Sequence, residues 1–162
     1  MMNNIEKIKL LNSLGIDSGE HIWQVEINRD SVIAIVINDS MRLVRLGKVP
    51  VPLTKNDSNI LSVYYEGAVL QLSKLLSRYC EPLLDGGIEY ANDKVVYKLV
   101  VGDNHDDNQL TILKNASRRY VADVILESFY GIADMSEQSL KSVRSCLHAR
   151  KRSVARKVRP IL

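Results

Sequence analysis

Asn28-Arg29-Asp30-Ser31-Val32-Ile33-Ala34-Ile35-Val36-Ile37-Asn38-Asp39-Ser40 is the stretch on which the fold turns. Residues 32–37 are continuously apolar and mostly β-branched, the composition of a central strand. The polar triplets on either side, Asn28-Arg29-Asp30 and Asn38-Asp39-Ser40, carry the residue types that make turns. Short turns favour antiparallel pairing. Upstream, in residues 21–27, Trp23, Val25 and Ile27 alternate with Gln24 and Glu26, the period of a half-buried strand. Downstream, residues 41–46 supply a third strand, with Arg42 and Arg45 turned to water or to a partner. The stretch therefore predicts a three-stranded meander.

Around it the chain reads mainly as helix. Ile5, Ile8, Leu11 and Leu14 recur at helical spacing, giving a first helix over 4–14 that Gly15 ends. Residues 47–52 contain Pro50 and Pro52, which cannot donate to a ladder, so this part is an extended linker. Asn56, Asp57, Ser58 and Asn59 offer N-caps for a long helix over 58–81, with Gly67 as a candidate bend. Its apolar positions include Ile60, Leu61, Tyr64, Ala68, Leu72, Leu76 and Tyr79. A hairpin around Asn92-Asp93 joins residues 88–91 to 94–101. Helices follow over 109–130, ended by Gly131, and over 137–157, opened by Ser136. The predicted class is α+β, an antiparallel sheet of meander plus hairpin packed with helices, in the order α-βββ-α-ββ-α-α.

With 46% apolar and 25% charged residues, the composition is that of a globular chain rather than a disordered one. The longest apolar run has six residues, far short of the ~20 that cross a bilayer. The first nine residues alternate charge with single apolar positions, so no secretory signal is expected. Cys80 and Cys146 both fall in helical patterns and read as reduced, partly buried thiols of a cytoplasmic protein.

The net charge of +3 conceals a segregation. Eight of the 22 basic residues lie after position 140, where there is no acid, leaving 14 basic against all 19 acidic residues in 1–140. Such segregation bears on partners rather than on fold. It divides the chain into an α+β body, residues 1–135, and a basic C-terminal helix and tail, residues 136–162. Arg150, Lys151, Arg152, Arg156 and Lys157 could meet phosphates, anionic lipid or an acidic protein surface.

Chemistry-bearing motifs are sparse. Neither G-x-G-x-x-G nor G-x-x-x-x-G-K-[ST] occurs, so nothing in the chain announces a phosphate cradle or an ATPase. If Asp103 opened a calcium loop, the sixth position would be Asn108 instead of Gly and the twelfth Lys114 instead of Glu. A solvated turn, with Asp107 or Asn108 capping the next helix, is the simpler reading. His21, His105 and His148 have no second ligand at metal-binding spacing. No catalytic residue, metal or cofactor is expected. Trp23 reads as sheet packing before it reads as a binding residue, and a single Trp with a single Phe makes a poor base-stacking platform.

In element order, residues 4–130 resemble the class I chaperones of type III secretion, the Tir-chaperone family. The matching stretches are Leu14-Gly15-Ile16, the meander over 22–46, the proline linker with Asn56-Asp57-Ser58-Asn59, Gly86-Gly87-Ile88-Glu89-Tyr90, and residues 95–101. The basic tail lies outside that pattern. The resemblance implies an ATP-independent homodimer that holds an unfolded segment of a secreted effector protein. Trp23, Val25, Ile33 and Ile35 are the candidate client contacts, although a sheet has two faces and they serve equally as core. Tyr64, Leu72 and Tyr79 on the second helix are the candidate dimer surface. The competing reading is a nucleic-acid-binding or regulatory protein that uses the basic helix.

Overall fold

The structure, a computed structural model, describes residues 21–102 and 105–158, with side chains up to His148. The first helix expected over 4–14 lies outside the described residues. Among the described residues the architecture is α+β: a three-stranded antiparallel sheet with four α-helices and one short 3-10 helix, Lys55–Asp57. In chain order the elements are β1 (His21–Asn28), α1 (Arg29–Arg45), α2 (Ser58–Cys80), β2 (Ile88–Tyr90), β3 (Lys94–Val101), α3 (Asp107–Tyr130) and α4 (Glu137–Val158).

The meander is corrected. One strand of it exists, and residues 29–45 are a helix. Asn28 is a cap rather than a turn residue, its Oδ1 accepting the Ser31 N–H at 3.0 Å. Asn38-Asp39-Ser40 continues the helix for a further turn. Val32, Val36, Ser40 and Leu43 are buried at helical spacing, with Ile33 beside them. Ser40 is polar but belongs inside: its hydroxyl donates to the Ile37 carbonyl and accepts the Leu53 N–H at 2.8 Å. Gly47, at φ +71°, closes α1 as a Schellman turn, Lys48 N–H bonding Leu43 O and Gly47 N–H bonding Val44 O.

In the sheet, the long central strand β3 pairs with β1 on one side and β2 on the other. Trp23 lies opposite Leu99, Val25 opposite Tyr97 and Ile27 opposite Val95, and all six side chains are buried in the core. The helices cover this face. On the opposite face Gln24 and Glu26 are exposed, and Leu83 joins Ile22 and Val100 in a small separate cluster.

The other elements follow the sequence closely. α2 runs through Gly67 without interruption, and its start is set by Thr54, whose hydroxyl and Asp57 form a reciprocal cap one turn upstream. Asp106 and Gln109 form the same kind of box at the start of α3, and Gly131 ends it in the left-handed conformation. α4 is joined to the body: Val143, Cys146 and Leu147 lie in the main core cluster. The backbone of residues 150–157 continues this helix, and the side chains of Arg150, Lys151, Arg152, Arg156 and Lys157 lie outside the described residues.

Candidate docking face

β2 is short and forms one edge of the sheet. Two consecutive glycines place it. Gly86 and Gly87 both have positive φ, and Gly87 accepts the Lys98 N–H at 2.7 Å to begin the β2–β3 ladder. The Ala91 N–H bonds Lys94 O at the other end. In an antiparallel ladder bonded positions alternate, so residues 87, 89 and 91 face β3 while the backbone groups of Ile88 and Tyr90 face the outer edge, which no other strand among the described residues pairs with. An edge of this kind accepts an added strand.

Two grooves flank that edge, where β2 and its hairpin run beside α2. One, of about 590 Å3, has Val69 and Val95 among its lining and Arg29 and Glu66 as its charged residues. The other, of about 490 Å3, is lined by Leu70, Lys74 and Ile88 among others. Tyr90 and Leu70 belong to both. The Tyr90 hydroxyl donates to Ser73 Oγ at 2.9 Å, and Ser73 in turn meets the Tyr97 hydroxyl at 2.9 Å. Ser73 also donates to the Val69 carbonyl. These bonds pin the aromatic wall between the grooves to α2.

The groups around this face are built for packing. Burial pushes the Tyr65 hydroxyl up to about 12, and it donates to the Ile27 carbonyl at 3.1 Å. Burial raises Tyr97 as well. The Cys80 thiol is pushed up to about 12 by burial, so it stays protonated and a poor nucleophile at neutral pH. Ser73 is bonded to a carbonyl and two tyrosine hydroxyls, an arrangement that supplies no base for its proton. Among the described residues no three His, Cys, Asp or Glu side chains gather as a metal site. What the face offers is apolar surface, an open strand edge and a few charges.

No family model, curated protein or solved structure matches this chain.

The seven side chains singled out for client and dimer contact are not gathered into a surface. Trp23, Val25, Ile33 and Leu72 are core, and Ile35, Tyr64 and Tyr79 are half-buried against it. Burial in the chain's own core leaves the first four nothing to present to a partner. On these two elements the exposed large apolar side chains are instead Ile60 (48%), Val63 (67%) and Leu70 (55%) of α2 and Tyr90 (55%) of β2. A signal for them existed. Val63 and Leu70 are left over once the inward face of α2 has been filled, more apolar residues than one face can bury.

A second polar cluster ties the helices together. The Arg119 guanidinium of α3 lies between Asp39 of α1 and Asp123 of α3, bonding Asp123 Oδ1 through Nε at 3.0 Å. Ser139 of α4 donates to Asp123 Oδ2 at 3.0 Å. Burial raises the Asp123 pKa, against the lowering influence of Arg119 and Ser139. A folded-state pKa above the unfolded one means a contribution present at low pH and lost as pH rises through the folded value. Asp123→Asn is neutral throughout. Its melting temperature relative to the wild type should therefore rise between pH 4 and pH 7, as followed by circular dichroism. A difference that stays constant across that range would show that Asp123 titrates alike in both states.

Proposed function

We propose that this protein is a non-catalytic, ATP-independent chaperone-like module that works as a homodimer and holds an extended segment of a partner polypeptide. The observation that carries this reading is the open edge of β2 beside the apolar grooves along α2. Main-chain bonds to Ile88 and Tyr90 would supply sequence-tolerant affinity, and the two grooves would take alternate side chains of the added strand. A secreted effector is the client that the family resemblance implies. The helical α1 removes two strands from that resemblance, so the docking face moves from the meander to β2. Buried, protonated thiols at Cys80 and Cys146 suit a reducing cytoplasm.

The charge segregation supports a second reading, in which the basic end of α4 meets nucleic acid. One experiment separates the two. Ile88→Pro should leave the β2–β3 ladder intact, because the Ile88 N–H faces away from β3, yet prevent strand addition; circular dichroism checks that the variant is folded. Truncation after His148 removes the basic end and keeps Val143, Cys146 and Leu147 in the core. The chain and both variants are used as bait in lysate of the cells that make it, and the bound proteins are identified by mass spectrometry. Retention of a discrete polypeptide that Ile88→Pro releases and truncation does not supports the chaperone reading. Binding of nucleic acid that vanishes on truncation and weakens steeply with salt supports the alternative. A client retained equally by Ile88→Pro overturns the assignment to β2.

No helix among the described residues is long and apolar enough to cross a membrane.

A further inference from the structure

Between Asp39 and Asp57 the chain carries Arg42, Arg45, Lys48 and Lys55 and no acid. These cations gather where α1 ends and the linker leaves it. Gly47 turns the chain back there, so the Lys48 N–H bonds the Leu43 carbonyl, and Lys48 lines a groove of about 390 Å3 together with Arg42. The turn between α3 and α4 forms the other wall. Leu43, Ile132 and Met135 make its apolar floor, and its two charged lining residues are both cations. The acids that could neutralise them are engaged elsewhere. Asp39 holds Arg119 and comes no closer than 3.9 Å to Arg42. Glu127 accepts the Ser136 N–H at 2.6 Å. Asp134 is exposed on the turn, outside the lining. Arg45 and Lys48 have no ion-pair partner among the described residues.

We infer that this groove is a docking surface for an acidic segment of a partner polypeptide, with an apolar side chain seated on the floor and flanking carboxylates bonded to Arg42 and Lys48. Charge complementarity names the occupant. Cations without partners beside an apolar floor are satisfied together by a chain that carries both carboxylates and an apolar group. An anionic membrane would attract the cations but would not fill a recess floored by Leu43, which is 2% exposed. Nucleic acid would take the cations and leave the floor uncovered, with no aromatic ring in the lining for a base to stack on. Met41, Leu46 and Val51, exposed on the same helix end and linker, extend the apolar surface. The groove shares no lining residue with the two beside β2, so it stands apart from the proposed function.

The test is fluorescence anisotropy on the full chain with a labelled peptide in which a pair of leucines is flanked on both sides by glutamates. The same peptide with glutamines is the reference. The glutamate peptide should bind about tenfold more tightly or better, and more weakly as salt rises. Exposed substitutions, checked for folding by circular dichroism, locate the site. Lys48→Glu should weaken binding about tenfold, as loss of a charge-assisted bond does. Ala133→Trp changes no charge but fills the groove, and should weaken binding as well. Lys55→Glu reverses the same charge outside the lining and should matter much less. Equal effects of Lys48→Glu and Lys55→Glu would reduce the binding to net charge and overturn the groove. Binding indifferent to Lys48→Glu and Ala133→Trp but lost on truncation after His148 would overturn it in favour of the basic end of α4. Binding that appears only when residues 1–20 are deleted would overturn the partner, making the occupant a segment of the chain itself. Failure of the glutamate peptide to bind, with a DNA duplex or phosphatidylserine-containing phosphatidylcholine vesicles bound by the wild type and released by Lys48→Glu, would overturn the polypeptide as the occupant.

Discussion

Trp23→Ala is expected to destabilise the fold by about 3–5 kcal/mol, the range for emptying the site of a large buried aromatic. Trp23 is 2% exposed, faces Leu99 across the β1–β3 ladder, and meets the His105 ring edge-on at a centroid distance of 4.9 Å. Trp23 lies on a strand held by β3 and covered by helices, so the cavity has little freedom to collapse. For a chain of this length, 3–5 kcal/mol corresponds to a fall in melting temperature of about 6–20 °C. Urea unfolding followed by circular dichroism is the suitable measurement, since the substitution removes the chain's one tryptophan. A loss under about 1 kcal/mol, accompanied by loss of a bound client, would return Trp23 to the partner surface. On the present geometry the residue acts upon function only through the stability of the sheet.

The same contrast between core and surface explains what the sequence showed. Period-2 alternation in β1 was legible because one face is buried and the other is wet. The hairpin, α2, α3 and α4 were legible from periodicity and from punctuation such as Gly131. Residues 32–37 were not, because a continuous apolar run carries no period and β-branched composition then favours strand. The helix was decided by residues outside that run: Asn28 capping Ser31, Asp30 in the first turn, Arg42 and Arg45 in the last, and Gly47 just beyond. Taken together these start and stop signals bracket the 17 residues of α1. They lost to Asn38-Asp39-Ser40, whose turn-forming types are used inside the fold, Ser40 for the Leu53 N–H and Asp39 for Arg119.

The candidate site was less legible than the fold, and the reason is geometrical. An apolar residue on a helix reads the same whether it packs inward or faces a partner, and only the positions of the other elements tell the two apart. Leu72 and Leu70 are two residues apart on α2, and one is fully buried while the other is 55% exposed. The open edge of β2 could not be read at all, since strand order decides which strand is central. Short, local signals placed β2 in sequence, and the pairing of β1 with β3 over eight residues left it at the margin.

That placement makes Gly87 the position from which the docking face is most easily destroyed. Gly87→Ala is expected to cost about 2–5 kcal/mol, combining roughly 1–2 kcal/mol for a left-handed non-glycine residue with 1–3 kcal/mol for overpacking. The backbone stands at φ +71°, and an added Cβ would lie 2.7 Å from Lys98 O, 2.9 Å from Cys80 Cβ and 3.0 Å from Cys80 O. None of these atoms is the end of a flexible side chain. One belongs to the central strand and two to the last residue of α2, so relief must come by parting β2 from β3 or by lifting the end of the helix. The Lys98 N–H···O bond to Gly87 opens the ladder, and it is the first bond such a movement breaks. Gly86 supplies the control: it has φ +79° with nothing within 4 Å, so Gly86→Ala meets only the backbone penalty of about 1–2 kcal/mol. Urea midpoints of the two variants should therefore differ clearly, and amide exchange at Val96 and Lys98 should quicken in Gly87→Ala alone. Equal midpoints would mean that the chain yields easily at this corner. β2 would then be a loosely held edge, and its use as a template for an added strand would lose its physical basis.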